Sequence, residues 1–211
     1  MYYQQTLDVL KEGVAKFTPI TPQIEENLAL FAGAKQYRVV TDFSPLTKVA
    51  DSANDFVKNM LGNANTVSND WLYTEQNTAG KVANSINEWN AIEEQKDLFP
   101  LLEYSAILDE RTREDHRELD GVVRPVDDPF WDSFNPPNGY NCRCLLIPTL
   151  EGAKDITKTP KVSEEAVPTM FRNNPAKSGK IFTTNHPYLN NTTTAQKRSN
   201  FGLGFPNEPK D

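Results

Sequence analysis

Four stretches in the first half of the chain place apolar side chains at steps of three and four, the period of a helix with one buried face. In YYQQTLDVLKEGVAKF the stripe is Leu7, Leu10, Val14 and Phe17. TPQIEENLALFAGAKQY opens on Thr21 and Pro22, an N-cap residue followed by a first-turn proline, and then sets Ile24, Leu28 and Phe31 on one face. SPLTKVADSANDFVKNMLG repeats this syntax. Ser44 and Pro45 start it, Leu46, Val49, Ala53, Phe56 and Met60 form the stripe, and Gly62 is expected to end it. The longest pattern, from Thr66 to Lys96, carries Trp71, Glu75, Ala79, Val82, Ile86, Trp89 and Ile92. Gly80 inside that run costs about 1 kcal/mol relative to alanine, which points to a bend or a close helix contact. Trp71 and Trp89 read as core anchors.

Past Pro100 the period changes. LLEYSAIL reads as a strand, and DERTREDHRELDG as a short helix carrying His116, with Thr112 and Asp115 at capping-box spacing and Gly121 as the stop. VVRPV is a second strand and CRCLLIP a third, ended by Pro148. Between them, residues 126–140 form a proline-rich loop without regular structure. Pro129, Pro136 and Pro137 stiffen it, Phe130, Trp131 and Phe134 give it buried area, and Asn138-Gly139 permits a sharp turn. The predicted class is α+β: a helical layer (residues 1–98) on a small antiparallel sheet module with a short helix (99–150), followed by an irregular C-terminal arm (151–211). In that arm SEEAVP suggests a helical turn, GKIFTTNHPYL an extended piece, and the last residues have no period.

Composition narrows the function. The 211 residues are 37% hydrophobic with a net charge of −7. Residues 1–150 hold 13 basic against 23 acidic side chains, while residues 151–211 hold 9 against 6. Tight non-specific binding of nucleic acid needs many cations, so the first 150 residues argue against it and the arm supports only weak contact. No apolar run is long enough to span a membrane. The opening MYYQQTLDVLKEGV lacks the basic-then-apolar order of a secretory signal, so the thiols are expected to be made in a reducing compartment.

Both cysteines lie one residue apart, Cys142 and Cys144. On an extended chain their Cα atoms would be roughly 6.5–7 Å apart, at the edge of what a disulfide accepts, so a bond between them would be strained. Two thiolates on one face suit chelation, since zinc sits about 2.3 Å from each sulfur. His116 can supply a third ligand, and Asp109, the distant His186 or water a fourth. The competing reading is structural: half-buried thiols close the strand and His116 bonds to the acidic loop. A third reading is a metal-dependent nuclease or toxin-like enzyme using His116 and Cys142, but thiol catalysis also needs a base and an oxyanion site, which have no sequence signal. Asp127 and Asp128 are expected to accept hydrogen bonds from backbone or from nearby Arg111, Arg113 and Arg124, locking the loop.

LDERTREDHRELDGVVRPVDDPFWDSFNPPNGYNCRC resembles the signature of the phage head morphogenesis family named after the F protein of phage Mu, the minor capsid or minor head proteins. The pattern falls on Asp109, Arg111, Arg113, His116, Leu119, Gly121, Asp128, Pro129, Trp131, Pro136, Pro137, Gly139, Cys142, Arg143 and Cys144. LFAGAKQY, DWLYTEQNTAGKVA and MFRNNPAKSGKIF resemble family segments too. Some relatives carry a cysteine near the position of Arg113 and a histidine where this chain has Gly139. The resemblance implies a virion component of a tailed phage or prophage with no enzyme activity, made in the host cytoplasm and placed near the portal vertex. Its implied partners are the portal protein and other head components, and its implied role is head assembly and DNA packaging.

Overall fold

A computed structural model describes residues 2–43, 53–150, 152, 155–157 and 167–190, with the side chains of 2, 39–43 and 53–70 excepted. Three long helices come first: α1 (Tyr2–Ala15), α2 (Pro22–Phe43) and α3 (Ala53–Gln95). The sequence stripes are the faces that meet. Leu7, Leu10 and Val14 of α1 pack with Ile24, Leu28 and Phe31 of α2 and with Ala79, Val82 and Ala83 of α3. Thr21 caps α2 as its position suggests, its hydroxyl accepting from the amide of Ile24 at 3.3 Å.

Two of the expected helices are one. α3 runs unbroken through Gly62, because a lone glycine lowers helix propensity by only about 1 kcal/mol and nothing beside it forces a stop. The start at Ser44 to Val49 lies outside the described residues, as do the side chains of Ala53, Phe56 and Met60. Gly80 marks a close contact: a Cβ there would lie 3.1 Å from the Gly13 carbonyl oxygen and from the Phe17 ring. Trp89 is buried, but Trp71 is 54% exposed. At that level of α3 the inward position belongs to its neighbour Leu72.

The second core lies against the C-terminal half of α3. Strand β1 (Leu101–Ser105) sits between β2 (Val123–Pro125) and β3 (Leu145–Thr149), antiparallel to both. Leu102 pairs with Pro148 and Tyr104 with Leu146, and this face packs on Trp89 and Ile92. Pro148 therefore lies within β3 rather than ending it; on an outer strand its missing N–H is tolerated. The outer side of β2 is covered by the chain at Thr157, whose amide donates to the Val123 carbonyl at 2.9 Å.

Helix α4 (Glu114–Leu119) follows β1 and ends before Gly121, which takes φ +75°. Its start differs from expectation: Arg113 is the N-cap residue and no side chain caps it. The proline-rich loop contains a helix the sequence reading missed, α5 (Phe130–Phe134). Asp128 initiates it by accepting from the Phe130 amide at 2.8 Å.

The described part of the C-terminal arm is ordered by local turns. A 3-10 turn at Thr169–Phe171 precedes α6 (Pro175–Ser178) and α7 (Pro187–Asn190). GKIFTTNHPYL is thus a loop leading into a helical turn, not an extended piece. It docks on the helical layer through Asn27, whose side chain accepts from the amides of Ile181 and Phe182 at 3.0 and 2.9 Å and donates to the Phe182 carbonyl at 2.9 Å. Most of SEEAVP and residues 191–211 lie outside the described residues.

Candidate functional site

Three elements converge behind the sheet. α4 supplies His116, the turn before β3 supplies Cys142 and Cys144, and β1 supplies Tyr104. The cysteines stand just outside β3, not in it. Asn141 adopts a left-handed φ of 57°, a conformation that asparagine tolerates, and this turns the chain so that both thiols face inward. Both are free and buried, more deeply than the half-burial the sequence suggested.

The loop that delivers them is held by specific bonds. Trp131 is fully buried and its indole N–H donates to the Pro125 carbonyl at 2.8 Å. Phe130 stacks on Phe134 at a centroid distance of 4.4 Å. Asn138, also fully buried, accepts from the Tyr104 hydroxyl at 3.0 Å. Lys81 of α3 donates to the Cys142 carbonyl at 2.9 Å. Tyr104, Lys81 and Asn138 were missed as site residues. The inward phase of Tyr104 in LLEYS was readable, but which loop atom its hydroxyl would meet was not.

His116 lies within reach of both sulfurs. Its Nδ1 is 3.2 Å from Cys144 Sγ and 3.8 Å from Cys142 Sγ. On the other side, Nε2 is 3.1 Å from Arg113 Nη2. A guanidinium can only donate, so Nε2 is the acceptor and the ring proton sits on Nδ1, directed at the thiols. The two thiols shift each other in opposite directions. Cys142 is pushed down by its hydrogen bonds from Cys144 and, against burial, from His116. Cys144 is pushed up by that same bond to Cys142, by burial and by the neighbouring charge. Burial, followed by the charge of the thiols, also holds the Tyr104 hydroxyl well above the ordinary tyrosine range.

The remaining motif residues form a bracket around this centre. Arg143, between the cysteines, donates twice to Asp109, at 2.8 and 2.7 Å. This fork holds the Asp109 carboxyl well below the usual carboxylate range. The Arg111 guanidinium comes no nearer to Asp109 than 3.9 Å, while its amide donates to the same carboxylate at 3.0 Å. The expected Arg/Asp lock is narrower than predicted: Arg124 meets Asp128 at 3.2 Å, Asp127 pairs with Lys96, and Arg113 donates to the Tyr140 carbonyl at 3.1 Å. His116 makes no bond to the acidic loop; its amide donates to Asp115. Arg113 and Gly139 face each other so closely that a Cβ on Gly139 would lie 2.0 Å from Arg113 Nη2.

His116, Cys142 and Cys144 offer ligand atoms that all lie within 4.8 Å of one another. Neither expected fourth ligand joins them among the described residues. Asp109 is engaged by Arg143, and His186 stands elsewhere, with its Nε2 3.1 Å from the Tyr140 hydroxyl and its ring against Phe31. Cys142 and Cys144 border a groove of about 190 Å³ lined also by Lys81, Glu88, Pro136 and Arg143.

Residues 46–147 match the family described as Phage Mu protein F like protein. A protein of Escherichia phage Mu, provisionally named capsid assembly protein F, is 37% identical over 75 residues, covering 36% of this chain and 17% of that protein. The Mu-like prophage FluMu F protein of Haemophilus influenzae matches at the same identity, length and coverage. An uncharacterized protein of the same organism is 43% identical over 63 residues, 29% of this chain and 14% of its own length. The matched stretches thus span less than a fifth of each of these relatives. No solved structure matches the chain.

Proposed function

Since residues 46–147 belong to the Phage Mu protein F like family, we propose that this chain is a minor head component of a tailed phage or prophage, acting through protein contacts in head assembly. The match to the phage Mu protein carries this reading. Within it, the chain sits at the portal vertex, contacts the portal protein and supports DNA packaging. Its place is the virion, after assembly in the host cytoplasm, with at most weak contact between the basic arm and packaged DNA.

The site geometry supports a structural role over turnover. Cys142 and Cys144 are both buried beside His116, so neither sulfur is presented to a macromolecular substrate. The outer face of the sheet supports a docking role: Leu145 and Ile147, two residues apart on β3, are 52% and 44% exposed. Exposed apolar patches mark contact surfaces. Among the described residues no helix is long and apolar enough to cross a membrane.

The test is a prophage induced with and without this chain. Loss of DNA-filled heads in its absence, restored by the wild-type chain, is the expected result. Heads that assemble and fill normally without it contradict the proposal. Cleavage of nucleic acid by the purified chain, abolished by His116→Ala, would establish an enzyme instead.

A further inference from the structure

The centre of the module is built for a thiophilic metal ion, and one side chain opposes that ion. We propose that His116 Nδ1, Cys142 Sγ and Cys144 Sγ form a site for zinc or a similar divalent cation, and that Arg113 is the built-in competitor that must turn away when the ion binds.

The distances support the first half. With Zn–S near 2.3 Å and Zn–N about 2.0–2.1 Å, a tetrahedral ion separates its N and S ligands by about 3.5 Å. Nδ1 stands 3.2 and 3.8 Å from the two sulfurs, on either side of that value, and all three ligand atoms lie within 4.8 Å of one another, close enough to converge on one ion. The protein supplies three ligands, and both cysteines border a groove from which a fourth ligand would enter. Three protein ligands with an open fourth position are the arrangement that lets a metal accept an outside ligand. The ligand entering from the groove is water, or a side chain of a docked protein.

The second half follows from the ring. When Nδ1 takes a metal, the imidazole proton moves to Nε2 and needs an acceptor. Nε2 instead faces Arg113 Nη2 at 3.1 Å, and a guanidinium has no acceptor. Donor would face donor, beside a second positive charge. Arg113 has room to leave, because its side chain is 47% exposed and Asp115 lies 4.0 Å from its Nε. Arg113 and the metal are therefore alternative cations for one electronegative centre. The other nearby guanidinium, Arg143, cannot take this part while it is forked onto Asp109.

The experiment is a Co²⁺ titration of the full chain, purified reduced and metal-free. One equivalent should bind and give a thiolate-to-cobalt charge-transfer band with tetrahedral d–d bands, all bleached by one equivalent of Zn²⁺. Cys142→Ser and Cys144→Ser should each weaken the charge-transfer band. Arg113→Gln, whose amide oxygen accepts from Nε2–H, should bind at least about tenfold more tightly, the scale on which such supporting bonds act. If either serine variant fails to fold, Zn²⁺ protection of both wild-type thiols from alkylation provides the same test, read by mass. A wild-type chain with no charge-transfer band and no protection overturns the site. Equal or weaker binding by Arg113→Gln overturns the competition.

Discussion

His186 shows how much one buried side chain can carry. Burial first, and then the charge of Lys35, pushes its imidazole down to about 4, so it is neutral in the fold. A group whose folded pKa is depressed contributes stability that is complete above its unfolded pKa and is lost as pH falls through the folded value. For His186 the window runs from about 6.5 down to about 4, and the whole effect is on the order of 3 kcal/mol. Urea unfolding followed across that window should show the wild type losing stability toward acid more steeply than His186→Gln. Parallel curves would mean that His186 is solvated. Trp131 offers a second check. Trp131→Ala should cost about 3–5 kcal/mol in chemical unfolding, and loss of under about 1 kcal/mol would show that the loop is not held by its aromatic plug. The sequence made Trp131 and His116 visible because rigid, aromatic and thiol-bearing motifs are sparse in this chain. It could not reveal Tyr104, Lys81 or Asn138, whose partners are set by tertiary placement alone.

Among the elements, α3 connects everything. Its middle packs on α1 and α2, and its C-terminal half on the sheet through Trp89 and Ile92. Periodicity located its faces, but not its continuity, since a glycine reads as a stop unless the residues on both sides are known to stay helical. The same stripe contained Glu75, a polar residue at a core position. The fold explains it: Lys35 of α2, fully buried, lies 2.5 Å away. Such a pair between two helices cannot be inferred from either helix separately. The α1–α3 contact gives a directional prediction. A Cβ on Gly13 would lie 2.8 Å from the Gln76 carbonyl oxygen, which is backbone, whereas a Cβ on Gly80 meets its neighbours at 3.1 Å. Gly13→Ala should therefore destabilise by about 1–3 kcal/mol. Gly80→Ala should cost less, because both sites gain about 1 kcal/mol of helix propensity and the crowding at Gly80 is milder. Thermal melts of the two variants check the order, and a Gly80→Ala variant less stable than Gly13→Ala would refute it.

Across the whole molecule, α+β organisation was legible because the hydrophobic period switches from about 3.6 to about 2 at Pro100. The folding of residues 167–190 onto the helices was not, because short turns held by Asn27 and Asn174 leave no periodic trace. The result is a thiol–imidazole centre held by loop, helix and strand, and behind it a sheet whose other face presents apolar side chains. Under the proposed function this face docks on the phage head. Cosedimentation of the full chain with assembled portal rings tests it most directly. The wild type should pellet with the rings, and a Leu145→Asp/Ile147→Asp double variant with an unchanged melting temperature should stay in the supernatant. A wild-type chain that remains in solution, or a double variant that pellets equally, would contradict it.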